Sequence, residues 1–450
     1  MSDRAVIVVG AGLAGLAAAW RLHRRGVDVI VLESGPRVGG FVGTVTRDGF
    51  VIEEGPGSIR GDRTTITSLV HEVGLGDAIE PSLPAAKARY VWAKGALHKL
   101  PSSPPALLKS GLLSAAGKLR LLSEPFRKAR RGAAADADET LAAMLTRRIG
   151  AEAVAMLVDP FVTGIFAGDP ARLGVDAFPG LAALESTYGS LFAGMRKSGG
   201  LGGGGIYSLR GGLGTLPAAI ARQLGDRVRT GAAVARVNQT TDGVAVVLAG
   251  GETVCARAAI LATPAREAAG LLGVTVSEEL THFLAELPLA PISKVELGLR
   301  PGDLANPIEG FGLLCASSSP LPDGARAILG IVFASSVFPG RAPTGLRSLS
   351  VMLGGVRYPG IVERSDADQT AQAVAAVRAI LGLRGEPVMT HVSRWDRAIP
   401  QYQPGHARAL AALRAALPAP IKLAGNYLEG VSVDAVVASG FAAADAVAVY

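Results

Sequence analysis

Two hydrophobic rhythms alternate along the chain. Residues 5–9 and 27–32 are short, β-branched apolar runs that read as strands buried on both faces. Between them an Ala/Leu-rich helix stops at Gly26, placed as a C′ glycine. A hairpin is expected over 43–57, a helix over 64–73 and a strand beginning at residue 88. Residues 107–131, 138–148 and 152–159 read as helices, and the glycine-rich stretch 199–205 as a domain boundary. Ser208-Leu209-Arg210-Gly211-Gly212-Leu213-Gly214 then opens a helix running to about 224. Strands are expected over 228–237, 244–248 and 253–262. Runs at 287–298, 310–315, 327–334 and 349–355 have little helix between them, which predicts a second, mixed or antiparallel sheet. An amphipathic helix at 366–381, a strand at 389–395, a strand at 421–426 ending in glycine and a small-residue helix at 432–449 complete the pattern.

The first two strands and their helix frame a motif. The first run breaks at Gly10-Ala11-Gly12-Leu13-Ala14-Gly15, a G-x-G-x-x-G, and the second ends in Glu33. Strand, glycine turn, helix, strand and terminal acid form the βαβ fingerprint of dinucleotide binding. Gly10 permits the turn, Gly12 admits a pyrophosphate and Gly15 lets helix and strand pack closely. The helix N-terminus offers free N–H groups to phosphate. A carboxylate at Glu33 suits a ribose 2′-hydroxyl and repels a 2′-phosphate, which disfavours NADP.

Composition narrows the classes. Of 450 residues, 49% are hydrophobic, and the mean hydropathy is +0.35. The longest uncharged run, residues 5–20, belongs to the fingerprint and falls short of the ~18 residues of a spanning helix. No signal peptide is expected before it, and a cytoplasmic location follows as an expectation. The net charge is +7. Basic residues without interleaved aromatics argue against nucleic acid and leave an anionic membrane or an acidic substrate. The two cysteines, Cys255 and Cys315, lie among apolar residues and are expected in the core. The six histidines show no metal-ligand spacing, and neither a G-x-S-x-G nor a Walker A motif occurs.

Residues 107–131 carry Leu108, Leu112, Ala115, Leu119, Leu122 and Phe126 at helical spacing. Lys109, Lys118, Arg120, Arg127, Lys128, Arg130 and Arg131 flank them against one acid, Glu124, and Pro125 must kink or end the helix. The segment suits either a helix on the protein's own core or an interfacial element on anionic lipid. Arg89 reads by itself as a surface charge.

Glu33-Ser34-Gly35-Pro36-Arg37-Val38-Gly39-Gly40 resembles the E-x-x-x-R-x-G-G extension of the large FAD-dependent flavoprotein family that includes amine oxidases. In that family Arg37, Gly39 and Gly40 would lie along the pyrophosphate path, Ser34 would join the cofactor site, and FAD is the implied cofactor. Residues 263–264, Thr-Pro, resemble the strand end that flavoproteins set beside the nucleotide. Further blocks are more specific: Lys87-Ala88-Arg89-Tyr90-Val91, Leu100-Pro101-Ser102-Ser103-Pro104-Pro105, Thr163-Gly164-Ile165-Phe166-Ala167-Gly168-Asp169, Phe311-Gly312-Leu313-Leu314, Trp395-Asp396-Arg397-Ala398-Ile399-Pro400-Gln401-Tyr402 and Gly425-Asn426-Tyr427-Leu428-Glu429-Gly430-Val431. With them the chain resembles the protoporphyrinogen oxidase family from end to end.

The resemblance implies a mixed α/β fold in three parts. A discontinuous Rossmann-like FAD-binding domain would take 1–85, 206–275 and 420–450; a mixed-sheet substrate domain 86–98 and 276–419; and a helical membrane-contact insertion 99–205. It implies non-covalent FAD, since the C-terminal motif has no cysteine. It implies a porphyrinogen substrate, O2 as acceptor, peripheral contact with the cytoplasmic face of the inner membrane, and allows a homodimer. Arg89 would pair with a substrate propionate, and Gly164, Phe166 and Gly168 would line the tetrapyrrole pocket. Gly55, Pro56, Gly57, Ser58, Val234, Thr263, Trp395, Gly425, Asn426, Val431, Ser432 and Val433 would join the cofactor site. Two departures touch it: Gly57 replaces the family's usual asparagine, and Ser432 replaces a glycine. Coproporphyrinogen oxidation is the nearest alternative. A carotenoid or amine oxidoreductase is another, and a non-enzymatic relative that binds lipidated proteins would not need the full flavin set.

Overall fold

The computed structural model describes residues 4–101, 103–129, 139–197, 205–306, 309–319, 321 and 325–447. Ser102, Arg130, Arg131 and most of the glycine-rich stretch 199–205, all part of the expectations above, lie outside the described residues. The fold is mixed α/β, built on two seven-stranded sheets.

The first sheet runs Val228–Arg229, Val29–Leu32, Arg4–Val9, Thr253–Leu261, Gly243–Leu248 and Val234–Thr240, with Ile421–Leu423 also paired to Thr253–Leu261. The strand expected over 228–237 is therefore two, divided at Gly231, whose φ of 67° no β-branched residue adopts comfortably. Arg4–Val9, Val29–Leu32, Thr253–Leu261 and Ile421–Leu423 are mutually parallel. Their carboxyl ends therefore fall on one side of the sheet, where open α/β sheets bind ligands. The helix Leu13–Arg24 packs on this sheet and against the C-terminal helix Val433–Val447. Contact is close because Gly440 has no side chain: a Cβ there would sit 2.2 Å from the Ala14 carbonyl oxygen.

The second sheet runs Met389–Pro400, Leu289–Leu299, Arg347–Gly354, Ile328–Val332, Gly312–Cys315, Arg89–Ala93 and Ala96–Lys99. One parallel pair, Gly312–Cys315 with Arg89–Ala93, sits in otherwise antiparallel neighbours. The helix Asp366–Leu381 covers one face with Ala373, Val374, Val377 and Leu381. The other face turns toward the carboxyl ends of the first sheet.

Among the described residues between 104 and 197, most are helical. The amphipathic stretch does not form one helix. It breaks into Pro104–Lys109, Ala115–Leu122 and a turn at Glu124–Phe126. Ser110-Gly111 interrupts the first helix, and the Ser114 hydroxyl restarts the chain by accepting from Gly117 N–H (3.0 Å). Leu112 is thereby buried, while Leu108, Leu119, Leu122 and Phe126 are exposed. Two of the flanking bases are used internally. Arg120 donates to the carbonyls of Thr146, Arg147 and Arg148 at the end of helix Leu141–Ile149, and Lys118 to that of Leu108. Glu124 is buried and paired with the equally buried Arg148. Its oxygens also accept from Ser190 Oγ (2.6 Å) and Leu191 N–H (2.8 Å), so the buried charges are satisfied on several sides. Cys315 is buried as expected, but Cys255 is exposed, because alternation along Thr253–Leu261 turns it outward.

Candidate flavin and substrate site

A cavity of about 800 Å³ opens where the strands of the first sheet end. Gly10 and Gly12 follow Val9, Glu33 and Ser34 follow Leu32, Thr263 and Pro264 follow Leu261, and Gly425 and Asn426 follow Leu423; all line it. Leu13, Ala14, Gly39, Gly40, Gly55, Pro56, Val234, Trp395, Val431 and Val433 line it too. On the far side the wall is Gly164, Ile165, Ile292, Lys294, Met352 and Ile399.

The glycines are required by contact. Gly10 has φ 101°, and a Cβ there would lie 2.8 Å from the Ala262 carbonyl oxygen. A Cβ on Gly15 would lie 2.0 Å from the Gly10 carbonyl oxygen. Gly12 faces open space, so a side chain there would project into the cavity rather than into protein. The extension folds back on this turn: Gly39 N–H donates to the Ala11 carbonyl (2.8 Å), and Gly12 and Gly39 form a parallel bridge.

Glu33 secures the same turn. Ala11 N–H donates to one carboxylate oxygen (2.7 Å) and Gly35 N–H to the other (2.8 Å). The cavity also holds an unpaired polar atom, the buried Thr263 hydroxyl oxygen. A buried hydroxyl is rarely left without a partner. Helix N-termini at Leu13 and Val433, a carboxylate at Glu33, a free hydroxyl at Thr263 and aromatic walls at Phe41 and Trp395 fit a dinucleotide carrying a flat ring.

Several expected positions lie elsewhere. Arg37 is not on the lining; it stands 3.7 Å from Glu54, with its guanidinium 5.9 Å from the Trp395 ring centroid. Gly57 and Ser58 lie just beyond the lining, which ends at Gly55 and Pro56. Ser432 caps the last helix by accepting from Ala435 N–H (3.2 Å). Phe166 turns away to pack edge-on against Phe178 (5.1 Å), and Gly168 lines a neighbouring cavity of about 380 Å³ with Arg357 and Tyr358. Arg89 is exposed, with its guanidinium 5.2 Å from the Phe311 ring centroid, and does not line the main cavity.

Sequence reasoning missed Lys294. It is a buried ammonium on the cavity wall that donates to the Glu53 carbonyl. Burial pushes its pKa below the ordinary lysine value, opposed by the nearby Glu296 and Glu53 carboxylates. Glu296, two residues on and equally buried, is held by the Ser348 and Ser350 hydroxyls. The signal was present: Lys294 and Glu296 interrupt an otherwise apolar strand.

Comparisons with known proteins agree with this geometry. Residues 13–448 match the family model described as flavin containing amine oxidoreductase. A Bos taurus protoporphyrinogen oxidase is 34% identical, with 98% of each chain covered. A Bacillus subtilis coproporphyrinogen III oxidase is 28% identical, also with 98% of each covered. A crystal structure from Exiguobacterium sp. 255-15, bearing a provisional protoporphyrinogen oxidase name, superposes with a TM-score of 0.86 at 25% identity, covering 100% of this chain and 99% of that one. FAD is thus the cofactor of an oxidoreductase site, and the chain belongs to the flavin-containing amine oxidoreductase family, in the branch of the protoporphyrinogen oxidases.

Proposed function

We propose that the chain oxidises protoporphyrinogen IX to protoporphyrin IX, with O2 as the final electron acceptor. The observation that carries this reading is the continuity of the cavity, from Glu33 and the glycine turn past Lys294 to the apolar wall of Ile165, Ile292, Met352 and Ile399. Protoporphyrinogen oxidases of Bos taurus and Homo sapiens align with this chain over nearly its full length. When bound, FAD supplies the hydride-accepting chemistry. The chain's own residues do the rest. The Gly10–Gly15 turn and the two helix N-termini would hold its phosphates, Glu33 would accept from its ribose, and Trp395 and Phe41 on the lining would help exclude water. The apolar wall suits a macrocycle with few charged groups. Protons leaving the pyrrole nitrogens need no dedicated base, since they can pass to solvent.

The lining favours this substrate over coproporphyrinogen III. Among the described residues lining the cavity, Lys294 is the one lysine or arginine, beside the acids Glu33, Glu54 and Glu267. A substrate with two further carboxylates would call for more cations. Arg89, exposed at the start of its strand, is proposed as the partner of a propionate that extends beyond the cavity.

The same reading assigns 1–85, 206–275 and 420–450 to FAD, 86–98 and 276–419 to substrate, and 99–205 to a membrane-contact unit. The exposed Leu119 and Phe126 support peripheral contact with the cytoplasmic face of the inner membrane. No helix among the described residues is long and apolar enough to cross a membrane.

The decisive experiment records the absorption spectrum of the purified protein, then the growth of porphyrin fluorescence with each porphyrinogen in air. Flavin absorbance with faster protoporphyrin formation is expected. A yellow protein that accelerates neither oxidation would overturn the assignment, and faster coproporphyrin formation would transfer it to the second substrate.

A further inference from the structure

The strand Met389–Pro400 continues into Gln401 and Tyr402, both buried, and neither lines the main cavity. Their backbone is pinned. Gln401 N–H donates to the Pro288 carbonyl (2.8 Å), and the Tyr402 carbonyl accepts from Gly174 N–H (2.8 Å). Their side chains are therefore carried to fixed places, on opposite walls.

Gln401 serves the far wall. The helix Asp159–Phe166 ends at Ala167, which is left-handed with φ 48°. Such an end leaves its last carbonyls without helical partners. Gln401 Nε2 donates to the Phe166 carbonyl (2.8 Å) and to the Ile399 carbonyl (3.0 Å). Gly168 leaves room for this amide, since a Cβ there would stand 2.5 Å from Gln401 Oε1. The turn so held carries Gly164 and Ile165 at the cavity.

Tyr402 serves the cofactor wall. Its hydroxyl donates to the Asn426 carbonyl and accepts from Gly430 N–H (3.1 Å), closing the two ends of one loop. That loop supplies Gly425, Asn426 and Val431 to the cavity. The Tyr402 ring stacks on His406 at 4.4 Å, and His406 Nε2 bonds the Tyr427 carbonyl of the same loop (3.0 Å). A carbonyl only accepts, so Nε2 carries the proton.

We propose that Gln401 and Tyr402 are positioning residues that brace the two cavity walls separately, Gln401 the substrate-side turn 164–168 and Tyr402 the cofactor-side loop 425–431. The division rests on the reading that FAD and a porphyrinogen share this cavity. It assigns neighbouring residues different measurable roles, which a general contribution to folding would not do.

The test uses the full-length protein carrying Gln401→Met, Gln401→Glu or Tyr402→Phe, each of which keeps the side chain's approximate bulk. Dissociation constants for FAD are measured on apo-protein by flavin fluorescence, and KM is measured with saturating FAD. Tyr402→Phe, which removes both hydrogen bonds of the hydroxyl, is expected to weaken FAD binding about tenfold and to leave KM within about twofold. Gln401→Met is expected to raise KM about tenfold and leave the FAD constant within about twofold. Gln401→Glu adds a chemical signature. An ionised carboxylate cannot donate to the Phe166 carbonyl, whereas the protonated acid can. Its KM should therefore fall toward the wild-type value as pH is lowered through the carboxyl pKa, while that of Gln401→Met should not follow. If Gln401→Met and Tyr402→Phe shift the same constant, or shift neither, the separate braces are refuted. If wild type turns over no porphyrinogen, the proposed function fails independently. The braces are then decided by the FAD constants alone: weakened binding in Tyr402→Phe only sustains them, and equal binding in both variants overturns them.

Discussion

Glu33→Gln should separate a nucleotide-binding carboxylate from an ordinary strand-end acid. An ionised carboxylate offers about four lone-pair positions. Two are taken by the N–H groups of Ala11 and Gly35, at 2.7 and 2.8 Å. The Ser34 hydroxyl takes a third at 3.3 Å, and Glu33 lines the cavity with acceptor capacity left for a ribose hydroxyl. A glutamine retains one acceptor oxygen and turns an NH2 group toward one of those backbone donors, where donor opposes donor. At least one charge-assisted bond to the ligand is then lost, worth about 1.5–3 kcal/mol. That corresponds to a roughly 10- to 150-fold increase in the FAD dissociation constant. Titration of apo-protein with FAD, followed by quenching of flavin fluorescence, measures it directly. Apo-protein Tm, recorded alongside, reports the lost brace on the glycine turn. Glu33→Arg should be more severe, since a guanidinium carries donors and no acceptor where acceptors are needed. An FAD constant within about twofold of wild type would refute the ribose role and leave Glu33 as a support for the turn alone.

Four further outcomes are expected. Heat or acid should release all the yellow colour into the supernatant, and flavin retained in the precipitate would contradict non-covalent binding. Lys294→Met should alter the pH dependence of stability. The depressed pKa of Lys294 means that the unfolded chain binds more protons in the window below 10.5, so this group makes wild-type stability rise as pH climbs toward that value. The variant should lack that component, and matching Tm profiles would exclude it. Replacing Leu119 and Phe126 by serine should abolish flotation with anionic vesicles without lowering Tm, because both side chains are exposed; undiminished flotation would remove this surface as the contact. Arg89→Ala should raise KM by roughly 10- to 150-fold with FAD content unchanged, and an unchanged KM for both porphyrinogens would return Arg89 to a surface charge.

The cofactor side was legible because its chemistry is local. The turn Gly10 to Gly15, the acid Glu33 and the glycines of the extension lie within one βαβ unit, where chain connectivity sets distances. Glycines crowded against carbonyls leave a plain record, since no other residue fits. The run 287–298 was legible as a strand for a similar reason: a strand buried on both faces is mostly apolar, here broken by Ser293, Lys294 and Glu296.

The far wall was not legible in that way. Lys294 reaches the cavity only because the second sheet turns one face toward the strand ends of the first, bringing the Lys294 ammonium to the carbonyl of Glu53 from a distant part of the chain. The amphipathic stretch misled for a related reason. Helical spacing placed Leu112 beside Leu119 and Phe126, but Ser110-Gly111 breaks the helix, and packing buries Leu112 while leaving the other two exposed. Arg120 looked like a lipid-facing base, yet a neighbouring helix end supplied three carbonyls that took it inward. By itself the sequence determined the strands, the glycine turn and the cofactor class, because these depend on residues close in the chain. Tertiary structure decided which polar groups face the cavity and which apolar groups face outward, because burial belongs to the partners an element meets and not to its own periodicity.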